Sequence, residues 1–466
     1  MTVPLHYRSL AEVAGDIRSG ALSAEAVMRH TLDRIARLEP SLHAFAFVRA
    51  DEALAEARAA DERQARGQWL GALHGVPLAV KDLCAMAGTP TRAGGFFSTG
   101  FSARDTATVV ARLQDAGAII VGKAQLTEGA WGTHHPDVVV PVNPWAPARW
   151  SGSSSSGSGV SVAAGLCFGA TGTDTAGSIR FPSACNHLVG LKPTWGRVSR
   201  HGVFPLSDTF DHVGPMARSV LDVAMMFSAM AGADALDPTS LNEAPEDWVA
   251  AARSPSLRGV RVGLDADYAL AVDPATGAAL QKAITQLKSA GAEIVPVRVP
   301  PVDDILPRAM TACFAEAVIS HARSYPAKRA KYGPTYVQLL EAGRAAPATD
   351  YAAVAVWRRE FRGALSRLFA SVDMLVAPVM PVAPVTVAEM AAFDGAPLIA
   401  SAPMLRYTIP YNLAGVPSLT LPMGRTTDGT PLGFQLIGPA LGEAALLSAG
   451  AAYEAANGFA ELHPGV

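Results

Sequence analysis

Two short segments of the chain contain residue types that can carry out nucleophilic chemistry. The segment GVPLAVK ends at Lys81, where an apolar strand would place an amine in the protein interior. Burial lowers the pKa of a lysine, and a lysine without its proton can act as a base. The segment GTDTAGSIR places Ser178 after a turn of small residues whose backbone N–H groups could surround an oxyanion. A serine hydroxyl needs a base of this kind to become a good nucleophile.

Taken singly, these segments also fit ordinary structural roles. Lys81 could be a strand-end lysine in solvent, and Ser178 could belong to a turn that caps a helix. A third segment, WSGSSSSGSG at residues 150–159, has the composition of a flexible linker. It runs directly into the apolar sequence VSVAAGLCFGATG, however, which suits a buried helix packed against a sheet. The start of a helix is therefore the alternative to a linker.

Other known site patterns are incomplete in this chain. The segment GAIIVGK has the spacing of a phosphate-binding loop, but Ala124 stands where Ser or Thr would hold magnesium. The chain contains no GxSxG nucleophile elbow. Its four cysteines form no CxxC pair, and the adjacent His134 and His135 are predicted to be loop histidines rather than metal ligands. We therefore predict neither a metal site nor a cofactor.

Composition limits the classes of protein to which the chain can belong. Of its 466 residues, 50% are hydrophobic and 17% are charged, which allows a large buried core. A net charge of −3 favours a small-molecule partner over nucleic acid. The N-terminal sequence lacks the pattern of a secretory signal, and no window approaches the roughly 18 apolar residues of a membrane span. We expect a soluble cytoplasmic protein that does not bind membranes.

Hydrophobic periodicity outlines the elements that must position these residues. Residues 8–66 have apolar residues at helical spacing and are predicted to form amphipathic helices. From Gly75 onwards, short apolar runs such as GVPLAVKD and AIIVGK alternate with helical patterns such as DTATVVARLQDAG. The same alternation returns between VRVGL and SLTLPM, without a long polar linker. The pattern predicts one large α/β unit with a helical insert at about residues 303–370.

Together, the three segments resemble the amidase signature family of serine hydrolases. The lysine segment GxPxxxKD, the GGSSGGS loop and the DTGGSIR turn of that family stand here as GVPLAVKD, GSSSSGS and DTAGSIR. In the family, the bridging serine is the first Ser of the SS pair and the nucleophile lies 24 positions later, which maps these roles onto Ser154 and Ser178. The similarity covers roughly residues 8–456, including DMLVAPVMPVAP and NLAGVPSLTLPMG near the C-terminus.

The resemblance implies a fold as well as a reaction. We expect a single amidase-signature domain over residues 1–466, an α/β fold in which helices cover both sides of a mixed central sheet. Within it lie N-terminal helices at 8–66, a catalytic core at 70–225, and the remaining sheet and helices at 257–456. This last region includes a substrate-lining insert at about 303–410.

The resemblance also implies roles for individual residues. Ser178 attacks a carbonyl carbon, Ser154 relays its proton to Lys81, and the lysine then returns a proton to the leaving amine. Water hydrolyses the resulting acyl-enzyme. The oxyanion is held by the N–H groups of four consecutive residues: Thr175, Ala176, Gly177 and Ser178. Hydrogen bonds from three further residues on the same loops orient the triad: Ser155, Asp174 and Arg180.

Two positions depart from the family pattern. Ala176 replaces the first glycine of the usual GGS turn, so the backbone there must tolerate a Cβ. Ser153 replaces the glycine before the bridging serine, where the family has a cis peptide bond. Neither replacement removes a reacting group.

The substrate is expected to be a neutral, partly hydrophobic amide or carbamate (urethane), because the candidate lining residues are apolar. They are Trp131, Phe204, Phe210 and the stretch 380–411. Each could equally belong to the core.

Two alternative functions remain open for the same fold. One is the glutaminase component of an aminoacyl-tRNA amidotransferase complex, and the other is a catalytically silent scaffold. The chain shows no basic tRNA-facing run, and Ala176 departs from the turn of those glutaminase components, which favours a stand-alone hydrolase. The presence of Lys81, Ser154 and Ser178 argues against a silent scaffold.

Overall fold

One mixed sheet of eleven strands runs through the part of the chain that the computed structural model describes, residues 3–392 and 403–466. Helices cover both faces of this sheet, which confirms the predicted α/β domain. In chain order, the strands are β1 (Phe45–Val48), β2 (Pro77–Lys81), β3 (Ile119–Ala124), β4 (Gly169–Asp174), β5 (Val189–Lys192), β6 (His212–Ala217), β7 (Arg261–Leu264), β8 (Glu293–Pro296), β9 (Met374–Pro378), β10 (Ser418–Arg425) and β11 (Pro431–Ile437).

Sixteen α-helices lie in the same described ranges. None of them is both long and apolar enough to cross a membrane. They are α1 (Leu10–Ser19), α2 (Ala24–Leu42), α3 (Ala50–Ala65), α4 (Thr108–Asp115), α5 (Ser156–Ala163), α6 (Arg180–Cys185), α7 (Val220–Met230), α8 (Trp248–Arg253), α9 (Ala266–Ala269), α10 (Pro274–Ser289), α11 (Leu306–Ser320), α12 (Pro334–Arg344), α13 (Ala348–Phe369), α14 (Val387–Ala392), α15 (Ile409–Ala414) and α16 (Glu443–Asn457).

The N-terminal region forms the predicted helices α1, α2 and α3, together with a strand that the helical pattern did not predict. Ser9 and Glu12 form a capping box that starts α1, and Gly20 ends the helix in the left-handed conformation. Strand β1 consists of only four residues, FAFV, and pairs antiparallel with β3. Such a short run is stabilised by its neighbour in the sheet rather than by its own pattern.

The order of strands in the sheet brings the predicted reacting segments to one edge. The order is β1-β3-β2-β4-β6-β5-β10-β11-β9-β7-β8, in which β2 and β4 are parallel neighbours. The carboxyl ends of parallel neighbours meet at the same edge of a sheet, where α/β proteins commonly bind ligands. Lys81 ends β2 and Asp174 ends β4, so the lysine and the DTAGSIR turn lie close together.

The serine-rich segment leads into a helix, as the alternative to a linker predicted. All eight residues of α5 are buried, and the helix packs against β4. Helices α11, α12 and α13 form the predicted helical insert. Part of the predicted substrate-lining stretch, residues 393–402, lies outside the described residues.

Candidate active site

A buried lysine lies at the centre of the site. The Nζ of Lys81 donates hydrogen bonds to Ser154 Oγ at 2.7 Å and to Oγ1 of Thr173, in β4, at 2.8 Å. The side chain is inaccessible to solvent, and burial lowers the pKa of Lys81 to about 7 because the charged amine loses its hydration. Near neutral pH, a large fraction of the amine is therefore uncharged and able to accept a proton.

The serine-rich loop is held in place on both sides. The peptide bond between Ser153 and Ser154 is cis. Gly152 has a φ of 84°, and a Cβ there would lie 2.5 Å from the backbone of Pro182, so glycine is required. Ser155 donates to the Thr173 carbonyl oxygen and accepts the Thr173 N–H, both at 3.4 Å. These contacts join the loop to β4 and α6, which is incompatible with a flexible linker.

Ser178 lies in the turn between β4 and α6 and is partly exposed. Gly177 has a φ of 132°, and a Cβ at this position would come within 2.5 Å of the Phe181 ring. Glycine is therefore needed at this second position of the turn. Ala176 does not have a positive φ, so its Cβ is accommodated where the family pattern has glycine.

The backbone of this turn offers three N–H groups for an oxyanion. Within the described residues, the N–H groups of Thr175, Ala176 and Ser178 have no hydrogen-bond partner. The prediction included a fourth donor, Gly177, but its N–H donates to Asp174 Oδ1 at 2.7 Å. Because this bond already occupies the Gly177 donor, we restrict the candidate oxyanion hole to the other three.

A buried ion pair fixes the shape of the turn. Arg180 donates to Asp174 through Nε at 3.0 Å and Nη2 at 2.9 Å, and both side chains are fully buried. The Asp174 carboxylate also accepts N–H groups from the turn, including that of Ile179 at 3.1 Å. Burial opposes ionisation of Asp174, but the Arg180 charge and these hydrogen bonds hold its pKa well below the ordinary value. Asp174 therefore remains an anion that organises the turn.

Residues distant in the sequence complete this network. Asn412, in α15, donates to Asp174 Oδ1 at 2.8 Å, and Arg180 donates to Gln435 Oε1 in β11 at 3.2 Å. Thr408 Oγ1 donates to the Ala176 carbonyl oxygen at 2.5 Å. No role was predicted from the sequence for Thr173, Thr408, Asn412 or Gln435. Asn412 lies in the segment NLAGVPSLTLPMG, which already carried the family resemblance, whereas Thr408 has no comparable sequence signal.

A second buried carboxylate holds the first residue of the turn. Asp211 accepts Thr175 Oγ1 at 2.5 Å and the N–H groups of Leu206 and Ser207 at 2.9 and 3.2 Å. Burial raises the pKa of Asp211 to about 6, although these hydrogen bonds favour its ionised form. The Thr175 side chain is thus fixed by Asp211, and its backbone N–H remains available.

A cavity of about 810 Å³, including its open mouth, lies in front of Ser178. Trp131 lies in its wall and packs edge-on against Phe314, with ring centroids 5.1 Å apart. The lining residues are mainly apolar or small: Ala130, Trp131, Gly132, Thr133, Trp150, Ser153, Ala176, Ser178, Phe181, Thr335, Met390, Met404 and Leu405.

Two of the predicted lining residues lie in the core instead. Phe204 is 4% exposed and packs against Phe97 and His321, and Phe210 is 1% exposed. Neither is among the described residues that line the cavity. Both occupy the segment before β6, which packs beneath the insert and buries its aromatic rings. In the residues that the structure describes, no group of three or more acidic, His or Cys side chains is arranged to hold a metal ion.

The chain is similar to known proteins over nearly its whole length. The model of the amidase family matches residues 26–447. The chain belongs to the amidase family. It is 43% identical to AmiD of Mycobacterium tuberculosis over 457 residues, which cover 98% of this chain and 96% of that protein. The family therefore accounts for nearly the whole chain, and its members are hydrolases of C–N bonds.

Other members of the amidase family are similar over the same length. The chain is 36% identical to a component of the glutamyl-tRNA(Gln) amidotransferase of Chloroflexus aurantiacus, covering 97% of this chain and 96% of that one. The crystal structure of peptide amidase from Stenotrophomonas maltophilia superposes with a TM-score of 0.83 at 32% identity, covering 97% and 98% of the two chains. The peptide amidase shares the fold of this chain.

Proposed function

We propose that this protein hydrolyses neutral, partly hydrophobic amides or carbamates through Ser178, Ser154 and Lys81. The observation that carries the proposal is the buried Lys81 amine, which is hydrogen-bonded to Ser154 and has a pKa of about 7. A lysine in solvent is protonated at neutral pH and cannot act as a base. Burial at the end of β2 supplies a base that the reaction can use.

The proposed reaction proceeds through an acyl-enzyme. Ser178 Oγ forms a bond to the carbonyl carbon while its proton passes to Ser154 and the Ser154 proton passes to Lys81. The C–N bond then breaks, and a proton returns from Lys81 through Ser154 to the leaving nitrogen. Water attacks the acyl-enzyme by the same relay and frees Ser178. A carbamate follows these steps: breaking its C–N bond releases the amine and leaves an alkoxycarbonyl-enzyme. Water then releases a carbonic acid monoester, which loses carbon dioxide to give the alcohol.

Oxyanion stabilisation is assigned to the N–H groups of Thr175, Ala176 and Ser178. In comparable sites, each well-placed donor contributes about 3 to 4 kcal/mol to the transition state. The Asp211 carboxylate and the ion pair of Asp174 with Arg180 hold these donors in place before substrate binds. The donors therefore need little reorganisation as negative charge develops.

A fluorophosphonate probe and a substrate panel test this proposal. We expect the probe to label Ser178 in the wild-type protein and to leave Ser178→Ala unlabelled. The substrate panel contains anilides, alkyl amides, esters and carbamates. Ser178→Ala and Lys81→Met should each lower kcat by at least about 10³-fold, because they remove the nucleophile or its base. Circular dichroism should show that both variants remain folded.

Two results would overturn the assignment. One is full turnover by folded Ser178→Ala, which would place the nucleophile elsewhere. The other is the absence of labelling and of turnover in the wild-type protein, which would favour the silent scaffold.

A glutaminase component of an amidotransferase complex is the second candidate, and similarity to the Chloroflexus amidotransferase chain supports it. Such a component should release ammonia from glutamine and be nearly inactive on anilides and carbamates. The apolar cavity wall of Trp131, Phe181 and Met404 favours apolar substrates over glutamine, which is polar. Measuring ammonia release from glutamine beside the substrate panel distinguishes the two candidates.

A further inference from the structure

A second cavity adjoins the first on the side of the serine-rich loop. It has a volume of about 660 Å³, including its open mouth. Gly132, Thr133, Trp150 and Met390 line both cavities, so the two spaces meet across these residues. The remaining lining residues of the second cavity are Thr127, His134, His135, Pro136, Val138, Val140, Val387 and Ala391.

This second cavity lies against the part of the site that handles the leaving group. The Thr127 N–H donates to the Ser154 carbonyl oxygen at 3.3 Å, and His134 Nε2 is 3.0 Å from Ser156 Oγ. In the proposed reaction, Ser154 passes the proton to the leaving nitrogen. The leaving nitrogen therefore lies beside Ser154, and the second cavity adjoins the loop that carries Ser154, while the acyl group occupies the cavity in front of Ser178.

The side chains that line the second cavity are uncharged near neutral pH. Its described lining contains no Asp, Glu, Lys or Arg. Burial lowers the pKa of His134 to about 4 and also lowers that of His135, so both rings are neutral near pH 7. The hydroxyl of Thr127 is buried without a hydrogen-bond partner among the described residues. A buried polar group without a partner is rare.

We infer that the second cavity binds the N-substituent of the substrate, so that the enzyme prefers secondary amides or carbamates with an uncharged, largely apolar amine portion. The inference rests on the proposed function and adds the leaving-group half of the substrate. Valine and proline side chains of the lining provide apolar contact. A primary amide would leave this cavity unfilled.

The test uses amides that share one acyl group, chosen as the fastest in the panel, and differ only in the amine. The N-methyl, N-butyl and N-(3-aminopropyl) amides are all secondary, and the last two have the same length. We expect kcat/KM of the N-butyl amide to exceed that of the N-methyl amide by at least about tenfold, because each buried methylene favours binding. The charged N-(3-aminopropyl) amide should be at least about tenfold worse than the N-butyl amide, because its ammonium loses water.

Variants that fill the second cavity test whether the preference for the N-butyl over the N-methyl amide arises there. Val140→Phe, and independently Val138→Phe, should lower the ratio of kcat/KM for the N-butyl and N-methyl amides toward one. Val139→Phe is the matched control, because Val139 lies between them and is 60% exposed. It should keep the wild-type ratio. Two filling variants are used so that one still tests the inference if the other does not fold.

The outcomes separate this inference from the proposed function. Turnover of all three amides with equal kcat/KM, or an unchanged ratio in both filling variants, would overturn the inference and leave the serine mechanism standing. Absence of both turnover and Ser178 labelling would overturn the proposed function and this inference with it.

Discussion

The two walls of the cavity in front of Ser178 are built in different ways. We call the first the polar wall: it consists of Ser178, which lines the cavity, and the buried residues behind it, Lys81, Ser154, Asp174 and Arg180. The second, the apolar wall, consists of Trp131, Met390, Met404 and Leu405. Most of the polar wall is completely buried and has side-chain hydrogen bonds of 2.7–3.0 Å, whereas the side chains of the apolar wall are nonpolar and make mainly van der Waals and ring contacts.

This difference affects how much each wall tolerates change. A buried charge needs its partner at a fixed distance and angle, so almost any substitution in the polar wall leaves an unpaired group. An apolar contact depends mainly on shape and area, so the side chains of the apolar wall can be enlarged or shortened by a few carbon atoms. The reaction is therefore fixed by the first wall, and substrate preference can change through the second.

Removing one partner of the buried ion pair should have the largest effect on stability. We expect Arg180→Met to lower the free energy of unfolding by about 3 to 5 kcal/mol, because Asp174 would remain buried and charged without its partner. Urea denaturation measures this change. Arg298→Met is the control, since Arg298 pairs with Asp267 at the surface and is 75% exposed. An unfolding midpoint equal to wild type in Arg180→Met would contradict a structural role for the polar wall.

The pH profile tests the state of the base in the same wall. Lys81 is protonated below its pKa of about 7 and then cannot accept a proton. We therefore expect kcat/KM to be constant at higher pH and to fall about tenfold per pH unit below about pH 7. Initial rates at substrate concentrations below KM, between pH 5 and 9, measure this profile.

Asp211 is the nearby group that titrates in the same range, with a pKa of about 6. It serves as a control because its negative charge raises the pKa of Lys81. In Asp211→Asn, the fall in kcat/KM should persist and move to lower pH. Loss of the pH dependence in this variant would assign it to Asp211 instead of Lys81.

Truncation of the apolar wall should have the smallest effect and depend on the substrate. We expect Trp131→Ala to lower kcat/KM by about five- to tenfold for an aryl or long-chain acyl group, mainly through KM, and by less for an acetyl group. Steady-state kinetics on the two substrates measures the difference. Trp69→Ala, at a tryptophan that is 37% exposed and outside the cavity, should change neither value. An equal loss on both substrates would mean that Trp131 acts on the reaction itself.

Much of the polar wall could be predicted because its residues lie in short segments. GVPLAVKD, GSSSSGS and DTAGSIR each keep their reacting residue next to the backbone that shapes it. The apolar wall was predicted only within a wider set of candidates, Trp131 and the stretch 380–411, which also included the core residues Phe204 and Phe210. Trp131, Met404 and Phe204 are all large apolar residues in irregular segments, and nothing local distinguishes the first two, which line the cavity, from Phe204, which packs in the core.

The sequence by itself determined the alternation of strands and helices and the segments that carry Lys81, Ser154 and Ser178, because periodicity and turn chemistry act over a few residues. Only the tertiary structure decided how these residues work. It buries Lys81 beside β4, which sets the pKa of the amine. It brings Asn412 to the Asp174 carboxylate from over 200 positions away. Burial and long-range contacts depend on how the sheet is assembled, and no short segment specifies that assembly.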